Sequence, residues 1–132
     1  MNQPLRGQVR PERVLIADDD SAGAEVLSEY LESRGYQVEC AFDGNRTYTQ
    51  AAASAYDLLI LDVNMPVYDG VEILTMLRKR QLLRPPKVIA ITADGQASRF
   101  GELAACGIDG YMTKPLNLAS FGAEITRVLG DR

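Results

Sequence analysis

A chain of 132 residues, 46% of them apolar, can fill one hydrophobic core without disulfides, and its formal net charge of -4 sets it against nucleic-acid backbones. It contains no histidine, which excludes Ser-His-Asp and Cys-His nucleophile systems and histidine metal sites, so any chemistry falls to carboxylates, hydroxyls and lysine. Cys40 and Cys106 stand outside any C-x-x-C spacing and read as buried, reduced thiols; with no signal-like or membrane-length apolar run, a soluble cytoplasmic protein without membrane insertion is expected.

Residues 1–12 carry Pro4 and Pro11 among polar residues with no apolar period, and read as a flexible tail ahead of a single domain at 13–130. From Arg13 onward, short apolar runs alternate with helical patterns. The runs are Val14 to Ala17, Tyr36 to Ala41, Leu58 to Leu61, Val88 to Ile91 and the shorter Gly110 to Thr113. The first, third and fourth are continuously apolar, as parallel strands buried on both faces require, while the second and fifth read as edges.

The first helix places Val26, Leu27, Tyr30 and Leu31 on one face and stops at Gly35, with Asp20 as its cap. A second, alanine-rich helix is expected over Thr47 to Ser54. The third opens on a capping arrangement of Asp69 and Glu72 and buries Val71, Ile73, Leu74 and Leu77. Its basic end, Arg78, Lys79 and Arg80 with Arg84 beyond, suits the helix dipole. A fourth falls between Gln96 and Cys106, interrupted by Gly101, and a fifth carries Leu118, Phe121, Ile125 and Val128. Such alternation builds an α/β fold, a doubly wound five-stranded parallel sheet whose ligands sit at the carboxyl ends of the strands.

Those ends are rich in oxygen. Asp18, Asp19 and Asp20 follow the first strand and Asp62 ends the third; Thr92 ends the fourth, and Lys114 with Pro115 follows the fifth. Carboxylates gathered this closely need a cation, and an all-oxygen set suits Mg²⁺. A hydroxyl, an ammonium and a metal are what the equatorial oxygens of a transferring phosphoryl group require, leaving Asp62 as the nucleophile. Taken singly, Thr92 is an ordinary β-branched strand residue and Tyr111 an edge-strand aromatic.

Together these residues resemble the receiver domains of two-component response regulators, in particular the stand-alone, chemotaxis-regulator-like ones. The marks are the acid pair Asp18-Asp19 after Val14-Leu15-Ile16-Ala17, the run Leu61-Asp62-Val63-Asn64-Met65-Pro66 with Asp69-Gly70 behind it, Thr92-Ala93, and Lys114-Pro115. The resemblance implies a flavodoxin-like (βα)5 fold with strand order 2-1-3-4-5. It implies that Asp19 and Asp62 bind Mg²⁺ directly, Asp18 through water, and that the backbone carbonyl of Asn64 completes the protein ligands. Lys114 and Thr92 would contact the phosphoryl group, the Lys114-Pro115 peptide would be cis, and Thr92 and Tyr111 would be the switch pair. Asn64 and Asp94 would tune dephosphorylation.

The implied function is phosphoryl transfer to Asp62 from a phosphohistidine on a histidine kinase or histidine phosphotransfer protein, within a phosphorelay. This would switch a protein-binding face on the fourth helix, fifth strand and fifth helix, without direct nucleic-acid binding. That is a signalling role and not that of a conventional enzyme. A receiver segment of a hybrid histidine kinase or multidomain regulator is the alternative setting. An aspartyl-phosphate hydrolase of the haloacid dehalogenase type would need a second aspartate where Asn64 stands, and a flavodoxin-like cofactor carrier would need a phosphate cradle where three aspartates stand.

Overall fold

The computed structural model describes residues 11–93 and 99–130. Five strands, β1 (Arg13–Ala17), β2 (Gln37–Ala41), β3 (Leu58–Asp62), β4 (Lys87–Thr92) and β5 (Gly110–Thr113), pair in parallel in the order β2-β1-β3-β4-β5. Between and after them run α1 (Ser21–Ser33), α2 (Gly44–Ala53), α3 (Gly70–Arg80), α4 (Phe100–Cys106) and α5 (Leu118–Leu129). This is the fold expected from the alternation of apolar runs and helical stripes.

Strand alternation divides the core in two. Val14, Ile16, Leu58, Ile60, Ile89 and Ile91 face α1 and α5, where they meet Leu27, Leu31, Phe121 and Ile125. Leu15, Ala17, Leu59, Leu61, Val88 and Ala90 face the other way onto Ile73, Leu74 and Leu77 of α3 and Leu103 of α4. Each fully buried leucine or isoleucine contributes about 1.5–3 kcal/mol, which is why the central strands, past Arg13 and Lys87 at their amino ends, carry no polar residue until their carboxyl ends.

Local signals explain the helix starts. Asp20 accepts from the Gly23 N–H at α1, and Asp43 from Arg46 N–H at α2, which therefore begins at Gly44, before the alanine-rich stretch that marks it in the sequence. Asp69 and Glu72 form a reciprocal capping box at α3. Gly44 is buried against the β3–α3 connection, where a Cβ would lie 2.2 Å from the Tyr68 carbonyl oxygen. Beside it, Val67 is 67% exposed with φ of 75°, a left-handed conformation that a β-branched residue strongly resists.

Three details depart from the expected pattern. Val26 and Leu118 are 53% and 41% exposed instead of facing the core, and they border a groove of about 570 Å³ with Leu27, Leu116 and Pro115. Ala24 takes the interior position on α1, because the stripe of this short helix is centred on Ala24, Leu27 and Leu31. Cys40 and Cys106 are both half-buried and not fully enclosed. The basic end of α3 does more than complement a dipole: Arg78 donates from Nε to the Cys106 carbonyl and from a terminal nitrogen to that of Gly107, tying down the carboxyl end of α4.

Candidate functional site

The hydrogen-bonded ladder runs past the ends of the strands and so fixes the residues that follow them. Asp18 N–H donates to the Ala41 carbonyl, Val63 N–H to that of Ile91, and Lys114 N–H to that of Thr92. The residues at this edge are thereby anchored to the sheet by its own backbone hydrogen bonds. The Lys114-Pro115 peptide is cis.

One carboxylate oxygen from each of Asp18, Asp19 and Asp62 lies within 4.8 Å of the others. Asp18 and Asp62 are buried, while Asp19 is exposed. The Lys114 ammonium reaches both buried members, at 2.9 Å from Asp62 Oδ2 and 3.5 Å from Asp18 Oδ2. The remaining oxygens are held by backbone: Asn64 N–H donates to Asp62 Oδ1, and Asp20 N–H to Asp18 Oδ1.

Burial pushes the Asp18 carboxyl above the usual aspartate range; the Asp20 N–H opposes this, the Asp62 charge adds to it, and the Lys114 charge offsets part of it. For Lys114, burial favours the neutral amine, but its hydrogen bond to Asp62 and the charges of Asp62 and Asp18 outweigh that and hold the ammonium above its ordinary value. The pocket is thus acidic, with one cation serving two buried carboxylates. An all-oxygen set of three carboxylates with one member open to solvent matches the preferences of Mg²⁺, which takes one or two carboxylates and keeps several waters.

On the other side of the sheet edge, Thr92 is fully buried and its hydroxyl donates to the Tyr111 hydroxyl at 3.2 Å. Tyr111 is therefore only partly exposed, unlike a free edge-strand aromatic. The Phe100 ring meets it edge-on, with centroids 5.0 Å apart. Glu124 on α5 accepts from the Tyr111 backbone N–H. Asp94 lies outside the described residues.

No sequence motif marks Arg99. Its guanidinium bonds Asp69 Oδ2 at 3.1 Å and Glu102 Oε1 at 2.8 Å, so the start of α4 is tied to the cap of α3. Phe100 and Glu124 likewise stand in no motif.

Fold and site together define an α/β domain with an acidic pocket at the carboxyl edge of its sheet. The family model for the response regulator receiver domain matches residues 14–126. The chain belongs to that family, the receiver domains of two-component systems. Among curated relatives, it is 36% identical over 120 residues to the transcriptional regulatory protein PrrA of Mycobacterium leprae, covering 91% of this chain and 51% of that one. It is 31% identical over 119 residues to the transcriptional regulatory protein CrdR of Helicobacter pylori, covering 90% and 55%. The chain spans about half the length of the curated relatives it matches.

Among solved structures, a CheY-like response regulator receiver domain protein from Methanospirillum hungatei superposes with a TM-score of 0.83 at 29% identity, covering 90% of this chain and 94% of that one. The receiver domain of sensor histidine kinase PA1611 from Pseudomonas aeruginosa, described with a magnesium ion coordinated in its active-site cleft, gives 0.81 at 26%, covering 92% and 99%.

Proposed function

We propose that Asp62 accepts a phosphoryl group from a phosphohistidine of a histidine kinase or histidine phosphotransfer protein. The observation that carries this reading is the convergence of Asp18, Asp19, Asp62 and Lys114 on one pocket, with Asp62 held on both oxygens. A carboxylate oxygen of Asp62 attacks phosphorus, the P–N bond breaks with its electron pair going to the imidazole, and an acyl phosphate results. Lys114 and Asn64 N–H fix the plane of the nucleophile before the donor arrives, so little reorganisation is needed. Asp18, Asp19 and Asp62, with the Asn64 carbonyl, are the residues to hold magnesium, which when bound supplies positive charge to the phosphoryl oxygens and screens the acid pair.

The new group adds roughly two negative charges. Lys114 moves its ammonium from Asp62 Oδ2 toward a phosphoryl oxygen, and Thr92 redirects its hydroxyl from Tyr111 to another. Tyr111 then loses the donor it now accepts from, and the surface formed by α4, β5 and α5 changes with it. The output is recognition of a downstream protein, with no direct contact to nucleic acid by this domain. Asn64 and Asp94 set the lifetime of the acyl phosphate.

The test is incubation with acetyl phosphate with and without Mg²⁺, followed by intact mass. Wild type gains the mass of one phosphoryl group only with Mg²⁺, and Asp62→Asn gains none. A wild type that forms no Mg²⁺-dependent adduct overturns the reading.

A further inference from the structure

The helix α4 is short, and its own N-terminal residue, Arg99, does not cap it. Its guanidinium instead pairs through Nε with Glu102 one turn on and through a terminal nitrogen with Asp69, whose other carboxylate oxygen caps α3 by accepting from the Glu72 N–H. Asp69 is itself tied to the phosphoacceptor segment. The next residue, Gly70, donates its N–H to the Val63 carbonyl at 2.8 Å and packs so closely that a Cβ there would lie 2.9 Å from Val63 Cα. Val63 directly follows Asp62. On its other side, Arg99 is joined to Phe100, whose ring edge rests on Tyr111, and the Tyr111 hydroxyl meets that of Thr92. The contacts close a circuit from the end of β3, through the start of α3 and the start of α4, to the end of β4.

We infer that Arg99 is a positioning residue: its ion pair with Asp69 seats the first turn of α4, and so holds Phe100 against Tyr111 and couples the Asp62 segment to the switch pair. The weight of the circuit falls on this pair because it is the link that joins the start of α3 to the start of α4; the other links are the Gly70–Val63 backbone bond, the Phe100–Tyr111 ring contact and the Thr92–Tyr111 hydroxyl bond. Arg99 and Asp69 are each about 30% exposed at the side chain, so the pair is partly screened and easily broken, as a coupling element must be. Its functional meaning rests on the phosphoacceptor reading above; the seating of α4 does not.

Arg99→Gln removes the charge and leaves a shorter polar side chain, and Arg99→Lys keeps the charge. Amide hydrogen exchange across Phe100–Cys106 is expected to speed up by about two- to fivefold in Arg99→Gln, the range of a partly exposed ion pair. The Tyr111 ring resonances are expected to shift as the Phe100 ring edge leaves. Exchange in α5 should stay unchanged, which shows the variant is folded, and Arg99→Lys should recover most of the effect. With Mg²⁺ and beryllofluoride, Arg99→Gln should still take up the adduct at Asp62, yet show a smaller change at Phe100 and Tyr111 than wild type. Unchanged α4 exchange and Tyr111 resonances in Arg99→Gln, or an equal adduct-induced change in both proteins, would overturn the assignment. If wild type binds no beryllofluoride, the coupling role falls together with the phosphoacceptor reading, and the exchange result alone decides whether Arg99 seats α4.

Discussion

Replacing Asp18 by asparagine removes one charge from the acidic pocket and keeps one acceptor: the amide oxygen can still take the Asp20 N–H that Oδ1 accepts now, while the amide nitrogen replaces the Oδ2 that Lys114 reaches at 3.5 Å. At an effective dielectric of about 20, repulsion between Asp18 and Asp62 at the 4.8 Å limit of the cluster is about 3.5 kcal/mol. Attraction to Lys114 at 3.5 Å is about 4.7 kcal/mol by the same arithmetic. Lys114 is a third exposed and already bonded to Asp62, so the attraction is discounted, and the two terms nearly cancel. The cost of burying the carboxylate then decides the sign, in keeping with its raised pKa.

Asp18→Asn is therefore expected to stabilise the protein at neutral pH in Mg²⁺-free buffer by about 1–2 kcal/mol, a rise of roughly 4–7 °C in Tm for a chain of this size. A carboxyl whose pKa is raised on folding favours the native state below its unfolded pKa and loses that contribution as pH rises through the folded value. The gap between variant and wild type should thus be wide at pH 7 and close toward pH 4. Added Mg²⁺ should narrow it as well, since the intact acid pair binds the ion more tightly and is stabilised more by it. Thermal melts by circular dichroism across pH, with and without Mg²⁺, measure all three. A variant less stable than wild type at pH 7, or a gap indifferent to pH, would refute the electrostatic account of the pocket.

Two backbone positions near the site give sharper structural expectations. In Gly44→Ala the new methyl would meet the Tyr68 carbonyl at 2.2 Å, so α2 must move off the β3–α3 connection; a loss of about 3 kcal/mol is expected from urea denaturation. Val67→Gly should instead stabilise by about 1 kcal/mol, since relief of the left-handed strain exceeds the extra chain entropy of glycine; a denaturation midpoint that falls contradicts this.

The apolar runs made the strands legible, and with them the residues at their ends, because a parallel strand buried on both faces must stay apolar until it emerges. Asp18, Asp62 and Thr92 break such runs in plain view. The caps were equally legible where aspartate stood three residues before the backbone N–H it accepts from, as at Asp20 and Asp69. Helical periodicity was less decisive on α1 and α5, where Val26 and Leu118 fit an apolar stripe by spacing yet line an open groove, since a helix can be apolar beyond the arc it buries. Arg99 could not be found this way. Its partner Asp69 lies 30 residues earlier, both stand in aperiodic polar segments, and only the placement of α4 on α3 brings them together.

The grip of Arg78 on the last carbonyls of α4 limits how that helix can travel. Fastened there by two hydrogen bonds to an arginine on α3, the helix cannot slide along its neighbour without leaving both carbonyls bare. It can still swing about that end once the Arg99–Asp69 pair at its start opens. If Asp62 is phosphorylated as proposed, rearrangement at the pocket should reach the outer face as an arc, smallest beside Gly107 and largest at Phe100, so that a binding partner would sense the tilt of one short rod.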